Sequence, residues 1–285
     1  MKRRVNAAVA GNPRPVLDLA PLARSFVWTI SLAALLAGCA TTRHREPAPA
    51  FKLPPLPKDI AAIPNAVPRF EPRAAHGNPL FYKVGGRRYY VLATAEGYDE
   101  TGVASWYGPT FDGLRTADGD RYDMYAMTAA HKTLPIPCYV RVTNLGNGRS
   151  VIVKINDRGP FVANRLIDLS YVAAAKLDML ATGTALVEVQ AITPESPSVL
   201  TRVAESPPPT LYVQVGAFMV QAHAQSVVSR LHAAGIAGAF IFGPPVTRGH
   251  LYRVRIGPVA GVPQFDRLVA RLNALGYPGA RLVAP

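Results

Sequence analysis

Acidic residues are scarce in this chain. Only 18 Asp and Glu stand against 31 Lys and Arg in 285 residues, a formal net charge of +13. Such a balance calls for an anionic partner, with nucleic acid, a membrane surface and a cell-wall polymer as the candidate classes. From Thr210 onward Lys and Glu are missing altogether, leaving seven Arg and one Asp. Cysteine is scarcer still, with Cys39 and Cys138 alone. Two such cysteines make no disulfide framework, and nowhere do Cys and His take zinc-ligand spacing, so no metal and no cofactor is expected. A small buried residue is the expected role of Cys138, between Pro137 and Tyr139. Long apolar runs are lacking too. The one sustained run, residues 26–36, is short for a bilayer span but suits the apolar stretch of a secretory signal.

That run follows Lys2, Arg3, Arg4, Arg14 and Arg24 and ends in Leu36-Ala37-Gly38-Cys39. The tetrad resembles a bacterial lipobox, which implies lipid on Cys39. Ala40, rather than Asp, at the next position implies sorting to the periplasmic face of the outer membrane. Residues 1–38 then read as a signal segment. Residues 39–77, rich in Pro, Ala and basic side chains, read as a tether.

Regular structure is expected from 78 onward. Residues 81–84 and 88–92 flank Gly85-Gly86, a hairpin signal. Strand-like runs follow at 102–107, 139–143, 151–155, 165–169 and 185–192, with an Asn147-Gly148 turn between two of them. Short helices are expected at 128–130 and 170–177, the second with Ser170 as its cap. Close-set short strands favour a small closed barrel, which also removes exposed edges. A linker over 193–209 ends in Ser206-Pro207-Pro208-Pro209. The final block, 210–285, reads strand, helix, strand, strand, helix, strand: an α/β-plait of ferredoxin type. Period-two alternation puts Val213, Val215, Val254 and Ile256 under the helices, and Tyr212, Gln214, Arg253 and Arg255 on the open face.

Four ordered pieces carry a family resemblance: Ala104-Ser105-Trp106-Tyr107-Gly108, Thr116-Ala117-Asp118-Gly119-Asp120, Thr128-Ala129-Ala130-His131-Lys132-Thr133-Leu134-Pro135, and Asn156-Asp157-Arg158-Gly159-Pro160-Phe161. Over residues 78–192 they closely resemble the rare lipoprotein A family of bacterial envelope proteins, whose domain is a double-psi β-barrel. The last block resembles a SPOR domain through Tyr212-Val213-Gln214-Val215-Gly216-Ala217-Phe218 and Tyr252-Arg253-Val254-Arg255-Ile256-Gly257-Pro258. The implied fold is mainly β plus α+β, a double-psi β-barrel followed by a ferredoxin-like (βαββαβ) SPOR domain. The implied activity is lytic transglycosylation of peptidoglycan glycan strands stripped of stem peptides, leaving 1,6-anhydro-muramyl ends. Septal wall remodelling and daughter-cell separation are the implied setting, with division proteins as further partners and no nucleic acid.

Such chemistry needs one carboxylic acid to protonate the glycosidic oxygen and then accept a proton from the sugar's own hydroxyl. Asp157, at a strand mouth, is the first candidate, and an Asx turn is its bland alternative. Asp168 is close behind, because Asp168-Leu169-Ser170 matches a functional segment of the barwin and expansin relatives. The resemblance makes His131 a site residue bonding the acid or a sugar hydroxyl. It makes Asp120 a shortened version of the usual Glu, which casts the activity itself into question. Arg158 reads as a muramyl-carboxylate ligand or as a partner that holds Asp157 ionised. Trp106 and Tyr107 read as sugar-stacking faces or as core. Gln214, Tyr252, Arg253 and Arg255 are the expected glycan-binding residues of the last domain, since Arg forks suit free lactyl carboxylates. The competing expectation is a non-catalytic wall-binding lipoprotein associated with the divisome on the same fold.

Overall fold

A computed structural model describes residues 53–193, 209–243 and 251–285. The signal segment with Cys39, and most of the linker, lie outside the described residues.

Six strands close into a barrel in the order β3-β7-β4-β6-β5-β8. They are β3 (Asp99–Trp106), β4 (Thr128–His131), β5 (Cys138–Asn144), β6 (Ser150–Asp157), β7 (Ile167–Leu169) and β8 (Ala185–Ile192). Two of the neighbouring pairs are parallel, β3 with β7 and β4 with β6. Val140 faces Val153 and Val142 faces Val151 across β5 and β6. These four, with Ile155, Ile167, Leu169 and Val187, are almost wholly withdrawn from water and form the barrel core. The β-branched run in β6 explains why that strand reads so clearly in the sequence.

The helix expected at 128–130 is instead strand β4. Alanine is the best helix former, but propensity over so few residues is overridden by pairing on both sides, and the small side chains fit where β6 and β7 close on the strand. The other short helix forms as expected: α1 (Tyr171–Lys176) starts at Ser170, whose Oγ accepts from the Ala173 amide at 3.2 Å. Gly102 sits where β3 meets the chain entering β7, and a Cβ there would lie 2.7 Å from Leu166 Cβ. Glycine is required by that approach.

The hairpin β1 (Phe81–Val84) and β2 (Arg87–Tyr90) precedes the barrel. Before it, residues 53–77 hold no helix or strand, yet they lie along the barrel rather than away from it. Ile60, Ile63 and Ala66 pack on the core. The Ala66 amide donates to Ile152 O at 3.0 Å, and the Tyr171 hydroxyl to Pro54 O at 2.8 Å. Glu71 accepts from Lys154 at 3.0 Å and from the Tyr139 hydroxyl.

The last domain holds β9 (Tyr212–Phe218), α2 (Gln221–Ala233), β10 (Ala239–Phe242), β11 (Tyr252–Ile256), α3 (Val262–Ala274) and β12 (Arg281–Val283), the expected order. Its sheet runs β10-β11-β9-β12. Phe265, Val269 and Leu272 of α3 follow helical spacing and are buried with Val213, Val215, Val254 and Ile256. This domain rests on the barrel. Val103 of β3 is buried in its core, and Arg165 grips Asp266 of α3 through two bonds of 2.9 and 3.0 Å.

Candidate active site

Strand β4 sits between the strands that carry the two candidate carboxylates. Ala130 is the cross-strand partner of Asp157 on β6 and of Asp168 on β7. The β4–β6 ladder is irregular between Ala129 and Ala130, and the two carboxylates flank Ala130 near enough for the charge of Asp157 to act on Asp168. The two strands are separated by one intervening strand, which puts the backbones roughly 10 Å apart.

Their surroundings differ. Asp157 Oδ1 accepts from the amides of Ala117, at 2.8 Å, and Arg158, at 2.7 Å. Its Oδ2 accepts from the Tyr107 hydroxyl at 3.1 Å. Burial raises the Asp157 pKa above the ordinary carboxylate value, while these three donors pull it back. Asp168 receives one such bond, from Ser105 Oγ at 2.5 Å. Burial raises its pKa as well; Ser105, Lys132 and Arg165 oppose that rise, and the charge of Asp157 adds to it. Tyr107 is itself held in the protonated, donating form, because burial and then the charge of Asp157 drive its phenol far above its usual range.

The aromatic pair next to Ser105 divides in its roles. Tyr107 reaches Asp157 with its hydroxyl and packs its ring on Tyr122 and Phe111. Trp106 packs on Tyr171 at 5.6 Å between centroids and against the barrel core, as a core residue does. Asp120 is exposed on the turn whose Ala117 amide holds Asp157. Its backbone carbonyl accepts from Thr116, and its own amide donates to Asp118.

His131 and Arg158 stand in the framework behind the carboxylates. The His131 ring is only 2 % exposed. Its Nδ1 accepts from the amides of Thr133 and Leu134 at 3.2 and 3.0 Å, which leaves the ring proton on Nε2, 2.9 Å from the Tyr98 hydroxyl. Burial, with the charges of Lys132 and Arg158, brings its pKa down to about 3. Among the described residues no bond joins this ring to either carboxylate. The Arg158 guanidinium is likewise spent on the chain, donating to Gly77 O at 2.8 Å, His131 O at 3.1 Å, Leu134 O at 2.5 Å and Asn78 Oδ1 at 3.3 Å. No ion pair joins it to Asp157 among the described residues. This set of bonds pins the entry segment to the His131–Leu134 turn. Cys138 is inert, its thiol pushed up to about 12 by burial.

Sequence reasoning missed Ser105, Tyr98 and Lys132. Ser105 pairs with Asp168 in the β3–β7 register, a relation visible only once the parallel pairing is known. Lys132 Nζ donates to Arg165 O close to Asp168, and burial lowers its pKa to about 8. No group of His, Cys, Asp and Glu suited to a metal occurs among the described residues.

In the last domain the expected binding residues do gather on one sheet. Gln214 is the partner of Arg255 on β11 and of Arg281 on β12. The face is less open than alternation suggests: Gln214 is 9 % exposed and Arg255 6 %. The Arg255 guanidinium stacks 3.8 Å from the Phe242 ring centroid, and its Nε and Nη1 have no hydrogen-bond partner among the described residues. Tyr252 and Arg253 are half-buried beside it.

Comparison with known proteins agrees with this geometry. Residues 99–189 match the family described as lytic transglycolase, a double-psi β-barrel domain, and residues 207–283 match the SPOR domain. The chain is 37 % identical to the endolytic peptidoglycan transglycosylase RlpA of Pseudomonas aeruginosa (strain UCBPP-PA14), over 85 % of each chain. Identity to the protein of that name from Vibrio cholerae is 36 %, over 86 % of this chain and 92 % of that one. For its Neisseria meningitidis (serogroup A) counterpart the figures are 43 %, 70 % and 81 %. With the barrel, the SPOR domain and relatives matched over most of their length, the chain belongs to the rare lipoprotein A (RlpA) family.

Proposed function

We propose that this protein is a lytic transglycosylase that splits the bond between N-acetylmuramic acid and N-acetylglucosamine in denuded glycan strands, leaving 1,6-anhydro-muramyl ends. The observation that carries the reading is the placement of Asp157 and Asp168 on either side of Ala130, each with its pKa raised by burial. Catalytic acids are tuned upward in this way, and two carboxylates in unlike settings take unlike roles.

The hydrogen bonds support a division of labour that reverses the order suggested by the sequence. Asp157 accepts three hydrogen bonds and Asp168 one; Lys132 and Arg165 favour charge on Asp168, while Asp118 opposes charge on Asp157 and Asp157 opposes it on Asp168. On the smaller number of hydrogen bonds it accepts, Asp168 is assigned the proton delivered to the glycosidic oxygen. As a carboxylate it then takes the proton of the muramyl C6 hydroxyl, while that oxygen closes on C1. Water takes no part, so a second nucleophilic carboxylate is unnecessary. Asp157 stays ionised and stabilises the positive charge that develops on the sugar ring.

The further parts of the reading are a lipid on Cys39, residence at the periplasmic face of the outer membrane and enrichment at the septum through the SPOR domain. The row Arg281–Gln214–Arg255 supports a carboxylate-bearing strand as the ligand of that domain. The test is mass spectrometry of purified denuded glycan after incubation with the protein. Wild type should release anhydro-muramyl products, Asp168→Asn should lose at least about 100-fold in turnover, and Asp157→Asn should lose less. Full turnover in Asp168→Asn overturns the assignment. Absence of anhydro ends from wild type overturns the enzymatic reading in favour of a wall-binding, divisome-associated lipoprotein.

A further inference from the structure

The hairpin β1–β2 lies outside the residues matched by the lytic transglycolase family and is fastened to the rim of the site. The Tyr82 hydroxyl donates to Lys132 O at 2.7 Å, and the Leu92 amide to Thr133 O at 2.7 Å. Tyr82 and Tyr89 stack as a cross-strand pair with ring centroids 5.3 Å apart, and Phe161 sets its ring against both, at 6.2 and 5.7 Å. Phe161 belongs to the turn that follows Asp157, so one face of the hairpin is locked to the segment that carries a site carboxylate.

The other face is open. Phe81 and Tyr90 are cross-strand partners, 40 % and 56 % exposed, and Lys83 pairs with Arg88 next to them. Arg88 lies 4.5 Å from the Phe81 ring centroid and donates to the Tyr90 hydroxyl at 3.2 Å, which holds the guanidinium beside the aromatic pair. Arg87, one residue earlier, projects to the locked face over Tyr89 at 5.5 Å and on the side of Lys132. Residues 80–95 contain these three cations and no acid.

We propose that this hairpin is a glycan subsite flanking the carboxylate site, in which Arg87 and Arg88 hold free lactyl carboxylates of successive muramyl residues while the exposed edges of Phe81 and Tyr90 meet the sugars. The proposal rests on the denuded-glycan reading above. Cations on both faces of a narrow ribbon suit a polymer running past its edge better than a flat membrane, which would meet one face only. Guanidinium groups also suit carboxylates, and the aromatic pair holds one of them ready in advance.

The test compares the full chain with Arg87→Ala/Arg88→Ala on denuded glycan oligosaccharides. A second substrate is the same glycan with its muramyl carboxylates converted to neutral amides. Both arginines are exposed, so folding is expected to survive, and circular dichroism checks it. The expected result is a five- to twenty-fold rise in KM on denuded glycan with kcat changed less than twofold. Amidation should raise the wild-type KM to the same level and leave the variant unmoved. Added salt should erode wild-type KM more than the variant's. An unchanged KM, or a rise that persists on amidated glycan, overturns the subsite. So does loss of binding to anionic lipid vesicles with glycan kinetics intact, which would make the patch a membrane contact. If wild type yields no anhydro ends, the enzymatic reading fails on its own. The hairpin is then judged by calorimetric titration of the same two glycans: the double substitution should remove the affinity difference between them, and an undiminished difference overturns it.

Discussion

Asp157 and Asp168 meet at a single residue: each is the cross-strand partner of Ala130, one through a parallel pairing and one through an antiparallel one. That relation sets two half-buried carboxylates beside one residue and makes their separate hydrogen-bond donors, Tyr107 and Ser105, a means of telling them apart.

Each donor stabilises the ionised form of its carboxylate, so removing it raises that pKa. With Asp168 as the acid, Ser105→Ala should move the alkaline limb of the pH–rate profile to higher pH, and Tyr107→Phe should leave that limb in place. The profile of kcat/KM between pH 4 and 9 checks this. A shift produced by Tyr107→Phe alone gives the proton to Asp157.

His131 should make the protein sensitive to acid. Its folded pKa is about 3, against an unfolded value near 6.5, so below pH 6.5 the unfolded chain binds a proton that the folded chain refuses. Stability is fully present above that pH and is lost as pH falls toward 3. Urea unfolding between pH 4 and 6 should show a steeper dependence in wild type than in His131→Gln, by up to about 1.4 kcal/mol per pH unit. Equal slopes would contradict the buried neutral ring.

The fork between Arg165 and Asp266 should be worth more than an exposed ion pair, since the Arg165 side chain is 15 % and the Asp266 side chain 33 % exposed. A double-mutant cycle with alanine at both positions should return a coupling of about 1–2 kcal/mol. Single replacements should speed amide exchange in β12, next to the barrel. A coupling near zero would mean that the two domains are held by apolar contact alone.

Asp120 tests reach. Its exposed position on the turn that supplies the Ala117 amide leaves room for one more methylene, so Asp120→Glu should fold normally. A several-fold gain in kcat/KM on denuded glycan is expected if the carboxylate touches substrate. An unchanged value makes the turn a scaffold for Asp157.

Elements with strong periodicity were legible from residues alone: β6, β8 and every element of the last domain lie where alternation and helical spacing put them. Strand β4 was not, because Thr-Ala-Ala-His has no period of its own and takes its form from two neighbours distant in the chain. Residues 53–77 read as free tether for a related reason. Their fastening to the barrel runs through backbone groups and through a few scattered side chains, Ile60, Ile63 and Glu71, that form no periodic pattern. At the site, the carboxylates were visible as motif residues. The tasks of His131 and Arg158 were not, since a polar side chain in a motif looks the same whether it faces substrate or ties down carbonyls.

Strand β7 has three residues, and Asp168 is the middle one. Its two ends rest on different supports. Upstream, Arg165 is anchored in the SPOR helix α3; downstream, Ser170 is built into the first turn of α1. The carboxylate thus hangs like the deck of a short bridge between two piers, one of which belongs to the SPOR domain. A contact that joins the two domains therefore lies only three residues from Asp168 along the chain.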